Sequence, residues 1–299
     1  MEVKECNFSS AAERAAAYVA SKMPYYKQPS LAYIEPFRMF GPIYYIGDKQ
    51  VCVHLFDTGE GLILLDAGFP HTMHIITENI YHLGFDPHDI KWVILTHAHY
   101  DHIGVAMEYK HLYGCRIALS KVDTQLIREK PGYVTNPTGP VAIMTHYPEI
   151  DHEIEDGEHI RLGCIDMECK LIPGHTPGAM AFFCDVTEDG KTYYRAGEFG
   201  GAGQGSVTRF ALEKNGLPYS LQDDMLASLE KMKAEHVDIM LGNHPYNNGT
   251  FEIREKQLAG DEKAFVDPTR WPEFLEKTEE AFRKLFAREW ADEVRPDKR

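Results

Sequence analysis

A basic excess, a membrane-length apolar run and a flexible linker are all missing from this 299-residue chain. Lys and Arg total 31 against 46 Asp and Glu, a formal charge of −15. Proteins that track phosphates carry a basic face, so nucleic acid is not an expected partner. No apolar stretch reaches the roughly 20 residues that span a bilayer, which argues against a membrane role. The N-terminus, Met1-Glu2-Val3-Lys4-Glu5-Cys6, has no basic segment leading into an apolar core, so no export signal is read. The expected location is the cytoplasm. The six cysteines, Cys6, Cys52, Cys115, Cys164, Cys169 and Cys184, have neither C-x-x-C pairing nor zinc-ribbon spacing. Reduced thiols fit that pattern, and none stands in an activating motif. The glycine-rich run Gly197-Glu198-Phe199-Gly200-Gly201-Ala202-Gly203 has no Gly-Lys-Ser/Thr at its end, so it is not a P-loop.

What is present is an ordinary globular composition, 43% hydrophobic and 26% charged. A chain of this length buries roughly three quarters of its unfolded surface and needs no disulfide. The distinctive local feature is instead a concentration of metal-binding side chains in Thr96-His97-Ala98-His99-Tyr100-Asp101-His102. Neutral imidazoles and a carboxylate suit zinc, with iron or manganese as near competitors. Lys91-Trp92-Val93-Ile94-Leu95 precedes them without a polar stripe and reads as a strand covered on both faces. Ile103, Ala106, Met107, Lys110 and Tyr113 then keep helical spacing up to Gly114. The pattern is strand, ligand loop, helix.

Residues 11–20 favour helix by propensity, and an irregular aromatic stretch runs on to Pro36. Residues 1–35 are therefore read as an extension packed on a single domain, 36–299. Hairpin strands follow over 43–46, 51–56 and 62–66, with His54 read as a strand histidine with a structural partner. Met73, Ile76, Ile80 and Leu83 mark a helix, and 115–119 a further strand. Residues 130–150 are broken by Pro131-Gly132, Asn136-Pro137 and Gly139-Pro140. They are either a lid lined by Tyr133, Met144, His146 and Tyr147 or an ordinary loop. Strands are expected at 158–162, 166–172, 179–185, 191–196 and 237–241. Ser220 with Asp223 reads as a variant capping box opening a helix with a Leu221, Met225, Leu229, Met232 stripe. Pro272 opens a last helix.

Four ligand side chains within 97–102 exceed what one tetrahedral metal takes and suggest two metals. His175, in Gly174-His175-Thr176-Pro177-Gly178, and His244, in Gly242-Asn243-His244-Pro245, each follow an apolar strand. Loops at strand ends along one sheet edge can converge. Asp66 ends an apolar run, where a carboxylate is costly unless paired.

The 97–102 run, the segments around His175 and His244, and Gly61-Leu62-Ile63-Leu64-Leu65-Asp66-Ala67-Gly68 together resemble the metallo-β-lactamase superfamily. The likeness runs from about Pro36 to the last helix. It is nearest to the β-lactamase subclass with an all His/Asp dizinc site; Ile43-Tyr44-Tyr45-Ile46-Gly47 and Leu83-Gly84-Phe85-Asp86-Pro87 add to it. The resemblance implies a four-layer αββα sandwich. It implies that His97, His99 and His175 bind one metal and that Asp101, His102 and His244 bind the other. Asp66 would stand behind the ligands as their acceptor. Glu198 occupies the place of a serine in that subclass and of a metal-bridging aspartate in the wider superfamily, so it is expected at the metal site as a further carboxylate ligand that tunes the second metal. The implied function is hydrolysis of a carbonyl compound, an amide, ester, lactone or thioester, by metal-generated hydroxide. Asp101 would orient the nucleophile, with Tyr246, Asn247 and Asn248 as substrate contacts. A true β-lactamase and a degenerate metal-binding scaffold are the alternatives. A di-iron oxygen-reducing relative would carry glutamate where His99 stands. The expected partner is a small-molecule substrate.

Overall fold

Residues 62–65 show why several strands of this chain have no polar stripe. Leu62 and Leu64 face helices, while Ile63 and Leu65 face a second sheet, so all four are buried. Each such side chain contributes about 1.5–3 kcal/mol of burial. The computed structural model describes residues 11–135, 144, 146–291 and 294–298.

Strands β1 (Phe37–Phe40), β2 (Ile43–Tyr45), β3 (His54–Asp57), β4 (Leu62–Leu65), β5 (Ile90–Ile94), β6 (Arg116–Ser120) and β7 (His152–Ile154) form a seven-stranded sheet in that order. Pairing is antiparallel from β1 to β4 and parallel from β4 to β7. A five-stranded sheet contains β8 (His159–Leu162), β9 (Ile165–Leu171), β10 (Met180–Val186), β11 (Tyr194–Phe199) and β12 (Ile239–Gly242). Its pairs are antiparallel except β11 with β12.

Three apolar layers hold these sheets. Tyr45, Phe56, Ile63, Ile94, Phe182 and Ile239 lie between the sheets. Leu55, Leu64 and Val93 pack on the helices Met73–His82 and Ala106–Tyr113 through Ile76, Ile80 and Met107. Phe183, Phe199 and Met240 pack on the helices Leu221–Met232 and Arg270–Glu289 through Met225, Leu229, Trp271 and Phe282. The architecture is the expected αββα sandwich.

Several local expectations are corrected. The first helix runs through Pro24 to Lys27, because Tyr26 docks its last turn against Phe69 and His71. Ser220 makes no side-chain cap, and Asp223 is instead drawn to Arg295 and Lys298. The strand expected at 191–196 is β11, shifted towards Phe199. Asp189 Oδ1 accepts from the amides of Lys191 and Thr192, which holds those residues in the turn. Glu198 consequently lies inside a strand paired on both sides, not in the loop beyond it. Strands β1 and β7 were not expected.

Candidate metal centre

The cluster 97–102 leaves β5 as anticipated, and the four-residue helix Tyr100–Ile103 turns Asp101 and His102 back on the histidines before them. His175 lies between β9 and β10, and His244 follows β12. These loops meet at one edge of the sandwich. His97, His99 and His175 form one group, and Asp101, His102 and His244 a second, each with its ligand atoms within 4.8 Å. The two groups are adjacent, with the His97 and His102 rings 4.2 Å apart.

Hydrogen bonding determines which nitrogen each imidazole presents. Thr96 Oγ1 donates to Asp66 Oδ2 at 2.9 Å, so it accepts from His97 Nδ1 at 3.0 Å. His102 Nδ1 donates to Asp66 Oδ2 at 2.6 Å. His175 Nδ1 donates to Gly203 O at 2.9 Å, and His244 Nδ1 to Gln50 O at 2.7 Å. Carbonyl and carboxylate oxygens only accept, which places those protons on Nδ1. His97, His102, His175 and His244 therefore turn Nε2 towards the centre. His99 turns Nδ1 inward, with Nε2 3.4 Å from the Tyr133 hydroxyl.

In the first group, His99 Nδ1 is 3.0 Å from both His97 Nε2 and His175 Nε2. At most one of those contacts can be a hydrogen bond, because His99 has one Nδ1 proton to give. Nitrogen ligands at about 2.0–2.1 Å around a tetrahedral zinc lie roughly 3.3–3.4 Å apart, close to this spacing. In the second group, Asp101 Oδ2 is 3.7 Å from His102 Nε2 and 3.9 Å from His244 Nε2. His102 Nε2 is buried without a hydrogen-bond partner. The donor sets fit two divalent cations.

The electrostatics of the groups differ. Burial drives His97 and His99 well below the usual histidine pKa, and His175 and His244 to about 4. Burial also acts on His102, but Asp66 and Asp101 outweigh it and bring that imidazole up to about 9. Burial opposes the Asp101 charge, yet His102, His244 and His99 hold its carboxyl below the ordinary value.

Asp66 does what a second acceptor layer requires. Its Oδ1 accepts from Thr96 N at 2.8 Å, while Oδ2 serves both Thr96 and His102. Its φ of 66° is the one positive value at a described non-glycine residue. Close loop approach completes the frame: a Cβ on Gly201 would sit 2.5 Å from the His175 ring.

Sequence reading missed Asp123. This buried carboxylate accepts from Ala98 N at 2.9 Å, Thr176 Oγ1 at 2.6 Å and Gly178 N at 2.7 Å. It ties the His97 loop to the His175 loop, and burial pushes its pKa up to about 6. The available signal was Ser120, which caps the helix Lys121–Glu129 by accepting from Asp123 N.

Glu198 falls outside both groups. It is buried between the sheets, with Oε2 2.9 Å from His54 Nδ1. Burial raises its pKa and His54 draws it back, while its charge also acts on His102. Tyr246 is 73% exposed and stacks on the His244 ring at 5.1 Å. Asn247 Nδ2 donates to Asn243 Oδ1. Asn248 is buried, donating to Met240 O and accepting from Thr250 Oγ1, so its amide serves the loop. Of the lid candidates, Tyr133 reaches His99. Met144 packs on the outer core, His146 pairs with Glu108, and Tyr147 is exposed. Residues 136–143 and 145 of that lid reading lie outside the described residues.

Comparison with known proteins agrees with this geometry. Residues 46–190 match the model of the metallo-beta-lactamase superfamily. A subclass B3 metallo-beta-lactamase of Bradyrhizobium japonicum superposes with a TM-score of 0.76 at 29% identity, over 89% of this chain and 98% of that one. A hydroxyacylglutathione hydrolase of Haemophilus influenzae is 28% identical over 140 residues, 45% of this chain and 60% of its own. A protein of Aquifex aeolicus is 31% identical over 122 residues, 40% of this chain and 53% of its own. The match thus spans little more than half the length of these curated relatives.

Proposed function

We propose, from the match of residues 46–190 to the metallo-beta-lactamase superfamily, that this chain is a dinuclear metal-dependent hydrolase of a small carbonyl compound. The observation that carries the reading is the set of imidazole orientations. Acceptors for Nδ1 at His97, His102, His175 and His244 leave Nε2 free to bind a cation. His97, His99 and His175 would hold one cation, and Asp101, His102 and His244 the other. The donor set lacks thiolate and suits zinc, with iron or manganese as alternatives. When bound, such a pair supplies an acidified water and polarises the scissile carbonyl.

The protein's own residues do the rest. Asp101 accepts a hydrogen bond from the attacking water and aims it at the carbonyl carbon. Asp66 keeps His97, through Thr96, and His102 from rotating. Tyr246 forms an aromatic rim over His244 for the substrate, and Asn247 lies beside it. Glu198, paired with His54, supplies a buried negative charge near His102 that tunes the second site instead of bridging the cations.

The substrate class is an ester, lactone, thioester or amide. The relative in Haemophilus influenzae is named a hydroxyacylglutathione hydrolase, which favours a thioester. The whole-chain likeness to a subclass B3 enzyme keeps β-lactam hydrolysis as the second reading. Zinc-loaded protein is expected to hold about two ions per chain and to hydrolyse thioesters or lactones faster than carbapenems. Efficient carbapenem turnover would reverse the substrate order. Loss of all metal binding with the six ligands intact would end the hydrolase reading.

A further inference from the structure

Outside both ligand groups, the helix Ala106–Tyr113 carries metal-binding side chains of its own. Glu108-Tyr109-Lys110-His111 is a Glu-x-x-His run, and residues three apart are neighbours on a helix surface. Helix bundles that hold two metals use that run to present a carboxylate and an imidazole together. The segment 146–149 crosses this helix, with Glu149 N donating to Met107 Sδ at 3.0 Å. It brings His146 to both residues: Nδ1 lies 3.2 Å from Glu108 Oε1, and the ring meets that of His111.

The cluster has the composition of the second ligand group, one carboxylate with two imidazoles. The His111 and His146 rings stand 5.1 Å apart at 89°, and the His102 and His244 rings 5.1 Å apart at 88°. The carboxylate contact has the length of a ligand edge. His88–Asp86, His159–Asp166 and His236–Asp238 close to 2.8, 2.6 and 2.9 Å, as charge-assisted pairs do. Glu108 and His146 stop at 3.2 Å. Donors bound at about 2.0–2.2 Å to a tetrahedral ion lie roughly 3.3–3.5 Å apart. Glu108 Oε2 is also buried with no hydrogen-bond partner, a cost that a cation on the carboxylate offsets. Lys110 does not supply that charge, because its ammonium reaches Asp151 and Glu149 O instead.

We propose that Glu108, His111 and His146 form a third cation site, for zinc or a neighbouring first-row divalent ion, separate from the metal centre. The exposed His111 side chain turns a nitrogen to the ion, His146 gives up its Nδ1 proton, and water completes the shell. Imidazole donors select against magnesium and calcium, which take oxygen. The bound ion fastens the segment 146–149 to the helix. Such a site is independent of any hydrolysis at the centre.

The test is zinc binding by the full-length chain, read by equilibrium dialysis at neutral pH. Saturation is expected at about three ions per chain, the pair at the centre and a weaker one. His111→Ala and His146→Ala should each remove the weaker ion and leave the pair. Glu108→Gln should loosen it by at least about tenfold. His236→Ala, at an exposed histidine elsewhere, should change nothing. No third ion in the wild type, or a third ion that survives both histidine changes, overturns the site. So does an equal loss in His236→Ala, which would mark scattered surface binding. If the protein binds a single ion that His111→Ala abolishes, the dinuclear reading of the centre fails and the Glu108 site stands.

Discussion

The two candidate ligand groups share a carboxylate support but differ in charge. The first consists of imidazoles kept neutral by burial, with His97 and His175 each tied through Nδ1 to an acceptor. The second contains a carboxylate and an imidazole drawn towards protonation by Asp66 and Asp101, beside His244, which burial keeps neutral as in the first group. A proton can therefore stand in for a cation at the second group far more readily than at the first. A site held by neutral donors resists acid through desolvation, whereas a site held by charge exchanges its cation against protons.

The largest effects should come from breaking the first group. His97→Ala or His175→Ala is expected to lower both occupancy and hydrolysis by more than the roughly 10–100-fold seen on losing an outer-layer partner. Metal analysis should show the second ion less affected than the first. Full metal and full activity in both variants would refute the ligand assignment.

Next in size is Asp123→Ala, which strikes the joint between the two ligand loops. Three donors, Ala98 N, Thr176 Oγ1 and Gly178 N, lose a buried acceptor. A stability loss of about 3–5 kcal/mol is expected in urea unfolding. Metal loss should be concentrated at the first group, where His97 and His175 sit on those loops.

A pH series on metal-stripped protein separates His175 from His102 by sign. His175 is depressed to about 4 from 6.5, so its contribution is lost as pH falls from about 6.5 through 4. His102 is raised to about 9, so its contribution is full below about 6.5 and disappears as pH rises through 9. Melting temperature should therefore fall on both flanks. Asp66→Asn should flatten the alkaline flank and leave the acid one. An unchanged alkaline flank in that variant would mean that another group is responsible.

The smallest effect is expected from Glu198. Glu198→Ser removes a buried charge that acts on His102 and frees His54. A several-fold loosening of the second ion is expected, with the first unaltered, while Glu198→Asp should retain both. Equal weakening of both ions by Glu198→Ser would contradict a role confined to the second group.

Much of this centre is legible in the chain because metal chemistry concentrates uncommon residues. Four candidate ligands fall within 97–102, and His175 and His244 stand in Gly/Pro loops after apolar strands. Asp66 is legible too, since a carboxylate ending a buried strand demands a partner. Asp123 was hidden because its three donors come from loops 25 to 55 residues away in sequence. Glu198 was misplaced because strand ends depend on cross-strand register, and Asp189 had already taken the preceding amides for a turn. The first helix outlasted its expected end because Tyr26 docking outweighs the local penalty of Pro24.

The forked carboxylate of Asp66 has a consequence for how the centre fills. One oxygen, Oδ2, faces both the Thr96 hydroxyl that steadies His97 and the Nδ1 of His102. An ion bound at either group would draw electron density through its imidazole and strengthen that imidazole's pull on the shared oxygen. The other imidazole then holds its own proton less firmly. Loading by two ions would then be a linked equilibrium in which the first ion alters the affinity for the second, and reciprocity requires the converse by the same factor. In a titration, that linkage would appear as curvature in the binding isotherm, and Asp66→Asn would straighten it.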